Sequence, residues 1–258
     1  MVINSLRVVG RGQPSSIGTG PARADSLAAA LGRLARDLDQ HDDPETLLDA
    51  IVQGAVALVP GATEGSIGLL AGRHIRLHAP IGDLPSLVDN LQLDVQEGPC
   101  LDSIRDQRTV RTGDLTAEDR WPRFAPRASV LGAASILSLL LSARGETLGA
   151  LNLFSRRPNA FTDESELVGQ LYAGHAAIAF AGLRKQAQLN ESVRSRDLIG
   201  QAKGILMERY TIDGERAFQI LIRVSQNTNR KLHHIAEELV RTRTLAGRQG
   251  LPPPDRRT

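Results

Sequence analysis

Apolar residues recur at helical spacing in two stretches near the start of the chain. Leu27, Leu31, Leu34 and Leu38 form one stripe within Ser26 to Leu38, and Leu47, Leu48, Ile51, Val52, Ala55 and Val59 form another from Pro44 onward. Two amphipathic helices are predicted there. The pattern then shortens to β-like runs: Ser66 to Leu70 and His74 to His78 flank an Ala-Gly-Arg turn, and Ile136 to Leu141 and Leu148 to Phe154 flank Arg144-Gly145-Glu146. These read as two antiparallel hairpins. Val110 is a further strand candidate, and Trp121 to Leu131 reads as a helix opened by Trp-Pro, with Pro122 in a tolerated first-turn position. The fold class is α+β, an antiparallel sheet with flanking helices, followed by a long linking helix and a small all-α three-helix domain.

That second half has its own pattern. No proline occurs between Pro158 and Pro252, and Asp163 to about Arg209 is continuously compatible with helix, with Thr162 or Asp163 as N-cap. Such a helix is on the order of 70 Å long, too long for one domain core, so part of it must protrude or pack on another chain. Leu183, Leu189 and Val193 are candidates for a coiled-coil seam, which Lys185 and Arg196 interrupt as a heptad. Two short helices follow, Gly214 to Gln226 and Arg230 to about Thr242, separated by Asn227-Thr228-Asn229, side chains suited to a stop and a cap. In the last helix Leu232, Ile235, Ala236, Leu239 and Val240 make the core face. Gly, Ser and Pro enrichment before Asp25 predicts a flexible leader over 1–24, and Gly, Pro and Arg after Thr244 predict a frayed tail over 245–258. Between them lie an α+β domain over 25–183 and the linking helix with the helical domain over 184–244.

Charge sharpens this division. The whole chain carries +2, but Arg184 to Arg243 holds twelve Lys/Arg against seven Asp/Glu, leaving the first 183 residues net negative. A basic module at one end suits contact with nucleic-acid phosphates. No apolar run approaches the roughly 18 residues of a membrane helix, and Asn4, Ser5 and Arg7 interrupt any signal-peptide core, so a cytoplasmic protein is expected. Cys100 is the sole cysteine, which excludes an intramolecular disulfide and a cysteine-based zinc cluster.

Catalytic signatures are missing: there is no phosphate-cradling glycine loop, nucleophile-elbow serine or histidine pair placed with a carboxylate, so no enzyme and no metal are expected. His233 and His234 are neighbours that a helix points apart. Cys100 sits where a turn enters a short helix; it is either a thiol activated by the helix N-terminus or a small buried hydrophobe. Trp121 is equally a pocket wall or a core residue. In the basic module, cations can hold phosphates while amides read base edges. Tyr210 is the aromatic available to stack on an unpaired base, whereas Phe218, beside Ala217 and Leu221, reads as core.

Leu198 to Val240 resembles the ANTAR domain, a three-helix RNA-binding module of bacterial transcription antitermination regulators. The resemblance rests on Ile199-Gly200-Gln201-Ala202-Lys203-Gly204-Ile205-Leu206-Met207-Glu208-Arg209, on Ala217-Phe218 with Leu221, and on Ser225-Gln226-Asn227-Thr228-Asn229-Arg230-Lys231-Leu232 with Ile235-Ala236. Ser26 to Leu183 resembles the GAF sensor domain found fused to ANTAR, through Glu97-Gly98-Pro99-Cys100-Leu101, Arg120-Trp121-Pro122-Arg123-Phe124, Gly149-Ala150-Leu151-Asn152-Leu153-Phe154 and Ala160-Phe161. Gln96 replaces the glycine common before the Glu-Gly-Pro-Cys run, which predicts an altered turn. The resemblance implies a regulator that grips paired stem-loops in nascent mRNA, prevents the terminator hairpin and dimerises through the linking helix. RNA contacts carried onto this chain are Lys203, Arg209, Arg223, Gln226, Asn229, Arg230 and Lys231; Cys100 and Trp121 are the candidate sensor-pocket residues, for a small-molecule ligand that the sequence leaves unknown. The alternatives are a DNA-binding transcriptional regulator that uses Arg230 to Thr242 as a recognition helix, and a small-molecule or redox sensor acting through protein contacts.

Overall fold

The computed structural model describes residues 40–245, together with Gly32 and Leu38. The leader over 1–24, nearly all of the Ser26 to Leu38 helix and the tail beyond Leu245 lie outside the described residues. Element order is α1 (Pro44–Leu58), β1 (Glu64–Ala71), β2 (His74–Ile81), α2 (Leu84–Val95), α3 (Pro99–Asp106), β3 (Val110–Thr112), a 3-10 turn (Leu115–Ala117), α4 (Ala125–Val130), β4 (Ser135–Ala143), β5 (Glu146–Ser155), α5 (Asp163–Tyr210), α6 (Gly214–Thr228) and α7 (Leu232–Thr242). Contacts divide these into two compact units, the first built on residues 49–176, the second on 177–245 with 42–48. None of the described helices is long and apolar enough to cross a membrane.

The first unit is a five-stranded antiparallel sheet in the order β2-β1-β5-β4-β3. Both expected hairpins form, and Val110 opens the short edge strand. Period-two alternation sends the two faces of the sheet to different helices. On one face Leu153 is near Val52 and Val56 of α1 across Gly65, while Leu139 lies against Gly169 of α5. Tyr172 of α5 is buried there and its hydroxyl donates to the Ile51 carbonyl at 2.7 Å. The other face carries α2, α3 and α4, with Phe154, Ile136, Phe124 and Trp121 in one buried cluster.

One register detail positions the interior chemistry. Asn152 of β5 stands opposite Ser66 of β1 on one side and Ser138 of β4 on the other. Three polar side chains therefore share one rung and one face of the sheet. Gly149, with φ +154°, brings β5 so close to β1 that a Cβ on it would lie 2.0 Å from the Gly68 carbonyl oxygen. Only glycine fits that approach.

Several boundaries differ from expectation. The helix expected over Trp121 to Leu131 begins at Ala125, with Pro126 rather than Pro122 in its first turn; residues 122–124 form a turn instead. Helix α2 has no counterpart in the sequence reading, because its polar inward residues Asp89 and Gln92 break the apolar stripe. Gln96 ends α2 at φ +56°, ψ 36°, the left-handed conformation that glycine favours. Thr162 caps α5 reciprocally: Ser165 N donates to Thr162 Oγ1 at 3.3 Å and Thr162 N to Ser165 Oγ at 3.0 Å.

In the second unit α6 runs past Gln226 to Thr228, and Asn229 closes it at φ +49°. Helix α7 starts at Leu232 rather than Arg230, which leaves Arg230 and Lys231 in the connection, Lys231 as N-cap. Ala202, Leu206 and Tyr210 of α5, Ala217, Leu221 and Val224 of α6, and Ile235, Ala236 and Leu239 of α7 form the core. Leu245, expected at the start of a frayed tail, is buried in that core.

Candidate nucleic-acid interface and sensor core

In the first unit the Ser66–Asn152–Ser138 rung meets two side chains from α2. Asp89 accepts from Gln92 Nε2 at 2.9 Å and Asn152 Nδ2 at 3.1 Å on one oxygen, and from the Ser66 hydroxyl on the other. Ser138 Oγ donates to Asn152 Oδ1 at 2.8 Å, and the Cys100 backbone N–H donates to Gln92 Oε1 at 2.8 Å. All are buried, and no cation belongs to the set. Burial dominates the three donated hydrogen bonds and lifts the Asp89 carboxyl to about 7.

Cys100 lies beside this network, 3% exposed, its sulfur 3.2 Å from where a Cβ on Gly68 would stand. Burial, with the Asp89 charge second, pushes its thiol up to about 12. Of the two readings of Cys100, the small buried hydrophobe is the one that holds: the helix N-terminus does not offset the desolvation, and the side chain is a neutral core residue at neutral pH. Trp121 is also core, 2% exposed, edge-on to Phe124 at 6.2 Å, with its Nε1 donating to Asp102 Oδ2 at 2.9 Å and the Arg120 guanidinium 4.4 Å from its ring centre. Arg123 donates from its backbone N and from Nε to Glu97, at 2.8 and 2.6 Å. Together with the Trp121–Asp102 bond, this fastens the Glu97–Asp102 segment to the Arg120–Phe124 segment. An open depression of about 420 Å³ is lined by Leu115, Glu118, Asp119, Pro122 and Ser129 among others, and by neither Cys100 nor Trp121.

The second unit separates the basic candidates into groups. On α6, Arg216, Gln219, Arg223 and Gln226 are all exposed and follow 3,4,3 spacing, so they form one outward stripe running to exposed Asn229, Arg230 and Lys231. Lys203 of α5 reaches the α6 side, its Nζ 5.7 Å from the Phe218 ring centre and near Gly214 and Met207. Two candidates are tied to the protein itself: Arg209 Nη2 donates to the Arg243 carbonyl at 2.7 Å, and Arg230 pairs with Glu238 at 2.6 Å.

The aromatic assignments exchange places. Tyr210, expected to stack on a base, is buried in the core of the unit, and Phe218, expected in that core, is half exposed beside Lys203. Position decides this: Ala217, Leu221 and Val224 already occupy the inward arc of α6, and residue 218 falls about 100° away from 217. Gln219 was missed because a lone glutamine carries no signal until the stripe through Arg216 and Arg223 is visible. The seam expectation also shifts, for Leu183 is half buried while Leu189 and Val193 are exposed. His234 is exposed and His233 half buried, with ring centres 4.1 Å apart.

Family comparison places both units. Residues 41–181 match the GAF domain and residues 187–240 the ANTAR domain. The chain belongs to the GAF–ANTAR regulators. Solved structures similar to its sensor half include the GAF domain of a phosphoenolpyruvate-protein phosphotransferase from Coxiella burnetii, with TM-score 0.53, 20% identity, and coverage of 64% of this chain and 98% of that one. Another is free methionine-R-sulfoxide reductase from Neisseria meningitidis, with TM-score 0.51, 16% identity, and coverage of 65% and 96%. These likenesses establish the GAF fold alone. No curated protein matches the chain.

Proposed function

We propose that this GAF–ANTAR regulator binds paired RNA stem-loops in nascent mRNA and, by holding them, prevents transcription termination, under the control of a signal received by its GAF domain. The observation that carries the reading is the outward α6 stripe of alternating cations and amides, continued by Asn229, Arg230 and Lys231, beside the half-exposed Phe218 and Lys203. Loop bases of RNA are splayed and accessible, so a surface offering cations for phosphates, amides for base edges and one aromatic face fits them. DNA reading by α7 is less well supported. That helix begins after Arg230 and Lys231 and turns Ile235, Ala236 and Leu239 inward, leaving few side chains for base edges.

The chain acts as a cytoplasmic homodimer, joined through α5, and the GAF signal changes the packing of that helix. Two linked modules convert a small change of geometry into a large change of affinity for paired loops. We read it as a regulator and not an enzyme. Thiol-based reduction, as the reductase among its fold neighbours would suggest, needs an accessible thiolate, and the sole cysteine is buried and neutral.

Alanine substitution tests the interface. Arg223→Ala, Lys203→Ala and Lys231→Ala should each weaken stem-loop binding about 10-fold and lower the salt dependence by about one phosphate contact. Arg209→Ala and Arg230→Ala, whose side chains hold the fold, should also lower the melting temperature of the ANTAR unit. Unchanged RNA affinity in all five variants would overturn the reading.

A further inference from the structure

The helix-covered face of the sensor sheet is occupied by Phe154, Ile136, Phe124, Trp121 and their neighbours. The depression of about 420 Å³ lies outside that cluster and shares only Leu115 with it. Its size falls within the roughly 300–1,000 Å³ of small-molecule sites. Leu115, Pro122 and Pro126 give it apolar walls, Ser129 adds a hydroxyl, and Glu118 and Asp119 add two carboxylates; no lysine or arginine among the described residues lines it. Arg120 holds Glu118, donating to Oε1 from Nε at 2.8 Å and to Oε2 from Nη2 at 2.6 Å, and keeps its carboxyl down at about 2. Asp119 is exposed and has no hydrogen bond or ion pair to another described residue. Two carboxylates against one arginine leave one negative charge for a ligand to meet.

The Glu118–Arg120 pair is also the first link of a path to α5. Arg120 Nη2 donates to the Arg111 carbonyl of β3 at 2.8 Å, and Arg111 Nη2 donates to Asp163 Oδ1 at 2.8 Å, with Nη1 3.7 Å from Glu166 Oε2. Gln170 adds a second tie, its Nε2 donating to Thr109 Oγ1 and to Glu166 Oε1, both at 3.2 Å. Among the described residues three buried side-chain polar atoms lack a hydrogen-bond partner, and two of them, Arg111 Nη1 and Thr112 Oγ1, lie on this path. Thr112 stands next to the Glu118 carboxylate. Buried donors without acceptors are costly, so both have something to gain from a second arrangement.

We infer that this depression is the signal site of the sensor unit, that it takes a small organic cation, an ammonium on an apolar body, and that Arg120 and Arg111 carry its arrival to the start of α5. The inference rests on the reading that the GAF unit receives a signal, and deepens it by naming the ligand class and the route. An ammonium seated at Asp119 competes with the Arg120 guanidinium for the Glu118 oxygens, while its apolar body covers the two prolines. Glu118, loosened from Arg120, has the Thr112 hydroxyl as its other donor. Arg111, released by Arg120 at its carbonyl, closes its free Nη1 on Glu166. Trp121 sits at the hinge of this device, between Pro122 of the lining and Arg120, whose guanidinium is 4.4 Å from its ring centre.

Phenethylamine is the probe, with phenethyl alcohol as its neutral counterpart and hydrocinnamate as its anionic one, titrated into the full-length protein while emission of Trp121, the sole tryptophan, is followed. A saturable change with the amine alone is expected. Asp119→Asn should weaken it about 10-fold, the loss of one charge-assisted hydrogen bond, and Asp119→Lys should transfer binding to hydrocinnamate; the position is exposed, so neither variant threatens folding. Hydrogen exchange should change over residues 109–112 and 163–170 when the amine binds. In the double variant Asp163→Asn/Glu166→Gln the amine should still bind, and the change over 163–170 should disappear. No response to the amine, or an equal response to the alcohol, would overturn the site and leave RNA recognition standing. An undiminished change over 163–170 in the double variant would overturn the route. An amine that binds and reaches α5 but leaves stem-loop affinity unaltered would support the site and the route, and would overturn instead the reading that the GAF signal governs RNA binding.

Discussion

Asp89 is a carboxylate with three donors and no cation, and replacing it with asparagine isolates what its charge costs. Its carboxyl titrates at about 7 in the fold against an ordinary 3.8. At about 1.4 kcal/mol per pH unit, that gap corresponds to on the order of 4 kcal/mol of native-state stability. The sign follows from which state holds the proton. Between the two values the folded chain keeps Asp89 protonated and the unfolded chain does not, so the contribution is present in full below about pH 4 and is lost as pH rises to about 7. Acids such as Glu97, Asp106, Asp114 and Glu118, held low by arginine or threonine partners, act in the opposite direction and below that window. Asparagine keeps one oxygen for Gln92 and Asn152 and turns its amide toward the Ser66 hydroxyl, which can accept, so Asp89→Asn preserves the network while removing the charge. Urea unfolding followed by Trp121 emission reports on the GAF unit alone, because that is the only tryptophan. The difference in stability between Asp89→Asn and the parent should climb by a few kcal/mol from about pH 4 to about pH 8, in favour of the variant. A difference that stays flat across that range would refute the reasoning.

Other perturbations follow from single contacts. Gly149→Ala forces a Cβ to 2.0 Å from the Gly68 carbonyl and should cost on the order of 3 kcal/mol, whereas Gly174→Ala, in open space on α5, should stabilise by about 0.5–1 kcal/mol; thermal melts compare them. Cys100, its thiol raised to about 12, should react with iodoacetamide on the order of 1000-fold more slowly in the native protein than in urea, as mass spectrometry would show; comparable rates would contradict its burial. Phe218→Ala should reduce stem-loop affinity by about 1–3 kcal/mol with little change in melting, while Tyr210→Ala should lose about 3 kcal/mol of ANTAR stability. The reverse outcome would restore the aromatic roles expected from spacing.

Legibility in the sequence followed the strength of the local signal. Both hairpins were readable because alternating apolar runs flank Gly-containing turns, and the long helix because nothing between Asp163 and Tyr210 interrupts it. Helix α2 was not readable, since Asp89 and Gln92 point inward and their partners Ser66, Ser138 and Asn152 lie on strands far away in sequence. Polar residues inside otherwise apolar strands, such as Asn152 between Leu151 and Leu153, were the available sign of a buried network. In the ANTAR unit the motif fixed the helices and the basic module. It could not show that Arg209 and Arg230 are bound to Arg243 and Glu238, or that Phe218 looks outward, because these depend on how three helices meet.

The central claim, that the ANTAR unit recognises structured RNA, is tested most directly by binding of the full-length protein to a two-hairpin RNA, a scrambled RNA and duplex DNA of equal length across a salt series. The account predicts a preference for the paired hairpins that persists as salt rises, with non-specific binding to the other two falling away steeply. Equal affinity for all three, lost together with increasing salt, would contradict it.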